Sequence, residues 1–163
     1  MTNPRPSLFG IDTFQDILDK AEREFKRAQS APTSIDRTDH LINCCITLGQ
    51  ATEYKWHEIK SKPAGTGLRG SNDLRSRIRK LSSSVAVVEN VNLVAKHVNM
   101  NHPQEAGDYT AMPILMLSGT PGMSGTDHVR RNDGVSLSLL NEVAAAIQFW
   151  KAFDDQAELA DVS

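Results

Sequence analysis

The stretch Ser71–Pro103, SNDLRSRIRKLSSSVAVVENVNLVAKHVNMNHP, carries the reading on which the fold turns. Leu74, Ile78, Leu81, Val85, Val88, Asn92 and Ala95 recur at heptad-like spacing, and Val87, Val91, Val94 and Val98 widen the apolar face. Valine is a mediocre helix former, yet the sustained period favours one long helix over a strand. An apolar face this wide belongs to a helix buried on more than one side, as in the centre of a bundle. The division of labour along it is uneven. The first half is basic (Arg75, Arg77, Arg79, Lys80), and the second is apolar but carries Asn92, Lys96 and His97 close together.

Working outward, Lys60 to Asn72 (KSKPAGTGLRGSN) is a glycine-rich loop, with Ser71 or Asn72 as the expected cap of the long helix. Its glycines follow no strand and lack the Gly-Lys-Ser/Thr ending of a phosphate cradle. Before it, a helix is expected from Ser34 or Asp36 to about Ile59, with Leu41, Cys44, Cys45, Leu48 and Ala51 inward. Earlier still, Phe14, Leu18, Ala21, Phe25 and Ala28 draw one apolar stripe, capped by Asp12 or Thr13 and ending near Ser30. Residues 1–10 read as an extended arm. After Pro103, Tyr109–Leu117 contains Pro113 and reads as an edge strand, Asp127–Arg131 as its return, and Asn132-Asp133-Gly134 as a turn. A last helix starts near Ser136 or Ser138, with Leu140, Val143, Ile147 and Trp150 as its core stripe. The expectation is one mainly α domain over 1–163, an antiparallel four-helix bundle. A small β-hairpin or irregular excursion at 104–134 precedes the last helix, and an acidic tail at 156–163 frays.

At 163 residues, 39% hydrophobic, the chain can bury a core without disulfides or metal. A net charge of −2 argues against a surface that is wholly a nucleic-acid footprint. Cys44 and Cys45 are adjacent in a helical pattern and point about 100° apart, so they cannot form an ordinary disulfide and read as small hydrophobes in a reducing compartment. His40 and Cys44 have two-ligand spacing but no second pair of ligands, so no metal is expected. No nucleotide or cofactor motif stands out either. There is no run of about 18 apolar residues and no basic start with an apolar core, so a cytoplasmic protein without membrane contact is expected.

Between Lys60 and Lys80 seven cationic residues face one acid, Asp73, leaving the remainder at about −8. One reading is a phosphate-binding surface for RNA or DNA through Arg69, Arg75, Arg77, Arg79 and Lys80. The other is pairing with the acidic end of the last helix (Asp154, Asp155, Glu158, Asp161), which an antiparallel bundle would set alongside. No aromatic residue interleaves the basic run, which weakens a stacking platform.

Asn92 and Lys96 share a helix face, with His97 one step round. A histidine beside a lysine can serve as a neutral base, although a lone helical histidine is commonly structural. The run Val91-Asn92-Leu93-Val94-Ala95-Lys96-His97 resembles the Asn-x-x-x-Lys-His segment of small bacterial and phage helical proteins. Phe149-Trp150-Lys151-Ala152-Phe153 in the last helix adds to that likeness. Over Thr38–Phe153 the architecture is similar to the HEPN superfamily of helical bundles, many of them ribonucleases or inactive relatives. That resemblance implies Arg-x(4–6)-His, usually paired across a dimer. His97 matches the histidine, while Asn92, Val91 and Asn90 stand where the arginine belongs. It therefore implies a non-catalytic, partner-binding or homodimeric bundle of phage or mobile-element origin. The alternatives are a metal-independent ribonuclease or toxin using His97 with Lys96 or a basic-patch arginine, Asn92 being the third candidate catalytic residue, or a nucleic-acid-binding module using the basic patch.

Overall fold

In the computed structural model of the protein the described residues are 10–60, 67–96, 114–115, 128–130 and 135–159. They are mainly helical, with a small antiparallel sheet. Helix α1 (Phe14–Gln29) starts from a capping box: Thr13 Oγ1 accepts the Asp16 N–H at 3.1 Å, and the Asp16 carboxylate accepts the Thr13 N–H at 2.8 Å. The Thr13 hydroxyl and the backbone N–H groups of Asp12 and Thr13 hold the Asp16 carboxyl below its ordinary value. Phe14, Ile17, Leu18, Ala21 and Ala28 face the core, with Phe25 half-buried. A short connection leads to α2 (Ser34–Leu48), whose cap is Thr33, one residue before the expected start, accepting the Asp36 N–H at 3.1 Å.

The two longest expected helices are each broken once. After α2 the ladder is interrupted at Gly49-Gln50, where Gln50 bonds back to Thr47 rather than one residue earlier, and α3 (Ala51–Ile59) follows. The basic half of the Ser71–Pro103 stretch is α4 (Ser71–Leu81) and the valine-rich half is α5 (Ser83–Lys96). Ser82 between them is extended (φ −138°, ψ 109°), and its hydroxyl accepts the Val85 N–H at 3.2 Å. One serine thus ends the first helix and caps the second. At the other end of α4 neither Ser71 nor Asn72 is the cap; Gly70 holds that position, and the Asp73 carboxylate reaches back to the Arg69 N–H at 3.0 Å.

Strands β1 (Ile114–Leu115), β2 (His128–Arg130) and β3 (Ser136–Ser138) pair antiparallel in that order, with Leu115 opposite Val129 and Val129 opposite Leu137. The third strand was not foreshadowed by the sequence pattern, and the expected turn at 132–134 lies outside the described residues. Ser138 is both the last strand residue and the cap of α6 (Leu139–Ala152). The acidic end is ordered into α7 (Asp155–Glu158), and Leu159 is fully buried, where fraying from 156 was expected; residues 160–163 lie outside the described set.

Helix α1 packs on α2, α2 on α5, α5 on α6, and α6 returns to α1, closing a ring with α2 also touching α6. Leu41, Cys44, Leu48, Val88, Val91, Val143 and Trp150 fill its centre. Helix α4 lies on α3 and α5 outside this ring. Among the described residues, no helix is long and apolar enough to cross a membrane.

The break after α2 sits directly against Asn92 of α5. Gly49 has an ordinary helical φ of −62°, so its lack of a side chain answers a packing demand, not a conformational one. A Cβ there would overlap the Asn92 carboxamide and stand 2.8 Å from the Asn92 Cβ. Gly49→Ala should therefore cost about 1–3 kcal/mol of stability. Adding Asn92→Ala should recover only part of it, because the Asn92 Cβ also obstructs. Urea denaturation of both single variants and the double variant measures that coupling.

Candidate functional site

The described polar residues concentrate where α3, α4 and α5 meet. Glu89, the one acid among the valines of α5, is 3% exposed and would be costly there without donors. Three side chains supply them. Thr52 of α3, itself fully buried, donates to Glu89 Oε1 at 2.9 Å. Arg75 Nε lies 3.4 Å from the same oxygen, and Arg79 Nη1 lies 3.4 Å from Oε2. The two arginines are one turn apart on α4, so both forks reach the same carboxylate.

Both arginines have further partners. Arg75 meets Glu53 Oε1 at 3.1 Å and Asn72 Oδ1 at 3.3 Å, and Arg79 meets Asn90 Oδ1 at 2.8 Å. Burial pushes the Glu89 carboxyl above the ordinary glutamate value, while Arg75, Thr52 and Arg79 pull it back. Two guanidinium groups and two carboxylates thus offset one another. A phosphate group at Arg75 or Arg79 would compete there with a carboxylate.

The acids that meet those two arginines here are Glu53 and Glu89. Asp155, from the acidic end of the chain, lies 2.7 Å from Lys55 of α3. Of the other basic-patch residues, Arg69 and Lys80 are exposed and Arg77 is half-buried. Asn92 is not presented to solvent. It is buried against Gly49, and its Oδ1 has no hydrogen-bond partner among the described residues. Lys96 is the last residue of α5, and His97 lies outside the described residues. Of Asn92, Lys96 and His97, only the Asn92 side chain belongs to the described part of the structure.

Glu89 and Thr52 were not singled out by sequence reasoning. A lone acid inside the valine run was the available signal for Glu89. The His40–Cys44 pair is taken up locally: His40 Nδ1 lies 2.9 Å from Glu24, and the Cys44 thiol faces the Ala21 carbonyl at 3.5 Å. Burial, with Glu24 adding to it, pushes the Cys44 thiol up to about 12, and burial raises Cys45 as well, so neither is a ready thiolate. Among the described residues, no three His, Cys, Asp or Glu side chains converge as a metal would require. An open groove of about 300 Å³ runs between α1 and α6, with Phe25 and Ile147 in its lining and the Glu22–Lys151 ion pair at 2.7 Å beside them.

No protein-family model, curated protein or solved structure matches the chain.

Removing the Glu89 side chain strands two arginines, so Glu89→Ala should cost about 3–5 kcal/mol. Glu89→Gln keeps hydrogen-bonding capacity toward Thr52 and one arginine and should cost less. The folded state holds the Glu89 proton more tightly than the unfolded chain does. Its contribution is fully present below the ordinary glutamate value of about 4.3 and is lost as pH rises through the raised folded value. The stability of the native protein relative to Glu89→Gln should thus fall from pH 4 to pH 7 in parallel urea titrations.

Proposed function

We propose that the protein acts by binding a partner rather than by catalysis, as a HEPN-like antiparallel four-helix bundle. In this reading it is a cytoplasmic, homodimeric accessory protein borne by a phage or other mobile element. The bundle reading draws on the ring of α1, α2, α5 and α6, with α2–α3 and α4–α5 each serving as one broken bundle helix. The functional reading is carried by one observation. Arg75 and Arg79 of the basic patch are engaged by Glu53, Glu89 and Asn90, and Asn92 is enclosed at the α2–α3 junction. These polar residues work for the fold.

A second reading has its own support. Arg69 and Lys80 are exposed beside half-buried Arg77, so a weak contact with nucleic-acid phosphates through that side of α4 is compatible with the geometry. It would reveal itself as RNA or DNA affinity that falls steeply with salt.

Ribonuclease activity through His97 and Lys96 is the outcome that separates partner binding from catalysis. Labelled single-stranded RNA incubated with the native protein and with His97→Ala should remain intact in both. Cleavage by the native protein that disappears in the variant overturns the non-catalytic reading.

A further inference from the structure

We propose that two copies of this chain form a homodimer by exchanging α1–α4 about a hinge at Ser82. Helices α4 and α5 straighten into one, and Arg75 and Arg79 of one copy meet Glu89 of the other. This deepens the homodimeric part of the partner-binding reading and rests on it.

The hinge is a bend of one residue in a segment whose pattern is that of a straight helix. Leu74, Ile78, Leu81, Val85 and Val88 keep 4-3-4-3 spacing through Ser82, the period of a single amphipathic helix. Helical bonds run up to the bend from both sides. The Ser82 N–H donates to the Ile78 carbonyl at 2.8 Å, and the Ala86 N–H donates to the Ser82 carbonyl at 3.2 Å. Moving Ser82 from its extended conformation (φ −138°, ψ 109°) to the helical one lets the N–H groups of Ser83, Ser84 and Val85 reach the carbonyls of Arg79, Lys80 and Leu81. In the bent form the Ser82 hydroxyl takes the Val85 N–H at 3.2 Å. The bend also ejects Leu81 from the stripe: its four companions are buried, while Leu81 is 44% exposed.

What holds the bend is contact between the parts on either side of it. Glu89 and Asn90 of α5 take Arg75 and Arg79 of α4, α2 packs on α5, and α1 and α2 pack on α6. The described residues before and after Ser82 therefore meet across the core, with no loop between them to give slack. Short hinges favour exchange of elements between copies. When the helix straightens, Arg75 and Glu89 of one chain separate by about 21 Å, and each part exposes the surface its own counterpart covered. A second copy offers that surface complete: its Thr52, Arg75 and Arg79 for Glu89, and its α2 for α5. The exchange remakes the contacts of the closed chain apart from the bend, and it sets Leu81 of each copy beside the two-fold axis.

The test mixes isotopically light and heavy full-length chains in urea, refolds them at high protein concentration, and separates monomer from dimer by size-exclusion chromatography with light scattering. Each fraction is treated with a carbodiimide, which joins a carboxylate to a neighbouring amine. Glu22 of α1 and Lys151 of α6 are 2.7 Å apart, partly exposed, and on opposite sides of the hinge in sequence. Their crosslinked peptides should pair light with heavy chains in the dimer, and only like with like in the monomer. Ser82→Ala removes the cap of α5 and favours the straight helix, so self-association should tighten about tenfold. Ser83→Pro should abolish the dimer and keep the folded monomer. Proline suits the first position of α5 and the extended residue before it, but in a continuous helix it lacks the donor to Arg79 and clashes with that carbonyl.

A dimer whose Glu22–Lys151 crosslinks stay within one chain overturns the exchange and leaves the homodimer reading standing. If the native chain and Ser82→Ala both remain monomeric, the exchange and that reading fall together. Dimerisation unchanged by Ser83→Pro overturns the hinge. The crosslinking uses the native sequence, so it decides the question even where a variant fails to fold. His97-dependent RNA cleavage bears on the non-catalytic reading alone.

Discussion

A carboxylate buried on the valine-rich helix α5 constrains everything around it. Glu89 lies in the valine face of α5, and a bare charge there would cost several kcal/mol. Thr52, Arg75 and Arg79 meet that cost, and they come from two other helices. In a continuous helix Arg75 and Glu89 would stand about 21 Å apart, beyond the reach of any side chain. The extended residue at Ser82 lets α4 pack against α5 so that the contact forms. The break in the longest apolar pattern and the buried ion cluster are therefore one feature seen twice.

Helix α3 is the shared neighbour of the polar interactions. Its nine residues include Thr52 and Glu53 toward the arginines and Lys55 toward the C-terminal segment. Tyr54 donates to the Ile11 carbonyl at 3.4 Å, and Glu58 accepts the Phe14 N–H at 3.3 Å, tying the start of α1 to the same helix. With no strong apolar stripe of its own, α3 is held largely by directional bonds. Gly49 frees its entry, and Asn92 presses against the junction.

The amphipathic helices and their approximate ends were legible because each is a local property. The stripe of α1 and the cap at Thr13 are written in neighbouring residues, as is the Ser138 cap of α6. The breaks were harder to see, since a helix that stops and restarts after one residue hardly disturbs the apolar period. Ser82-Ser83-Ser84 and Gly49 were visible marks, but their meaning depends on what lies across from them. The candidate site was least legible. Glu89 finds Thr52 across 37 positions and Glu53 finds Arg75 across 22, and no periodicity announces such pairings. The basic run was visible as a charge separation. Its opposing acids were sought in the C-terminal segment, whereas Arg75 and Arg79 are served by the helices beside them.

The junction at Ser138 has a mechanical meaning. Because strand β3 becomes helix α6 without an intervening loop, the sheet and the helix share one phase. Sliding β3 by one residue against β2 would turn every side chain of the strand to the other face and advance the helix start by about 100°. Val143, Ala146, Ile147 and Trp150 would then rotate away from the core together. The small sheet thus works as an indexing device that sets which way the last helix faces.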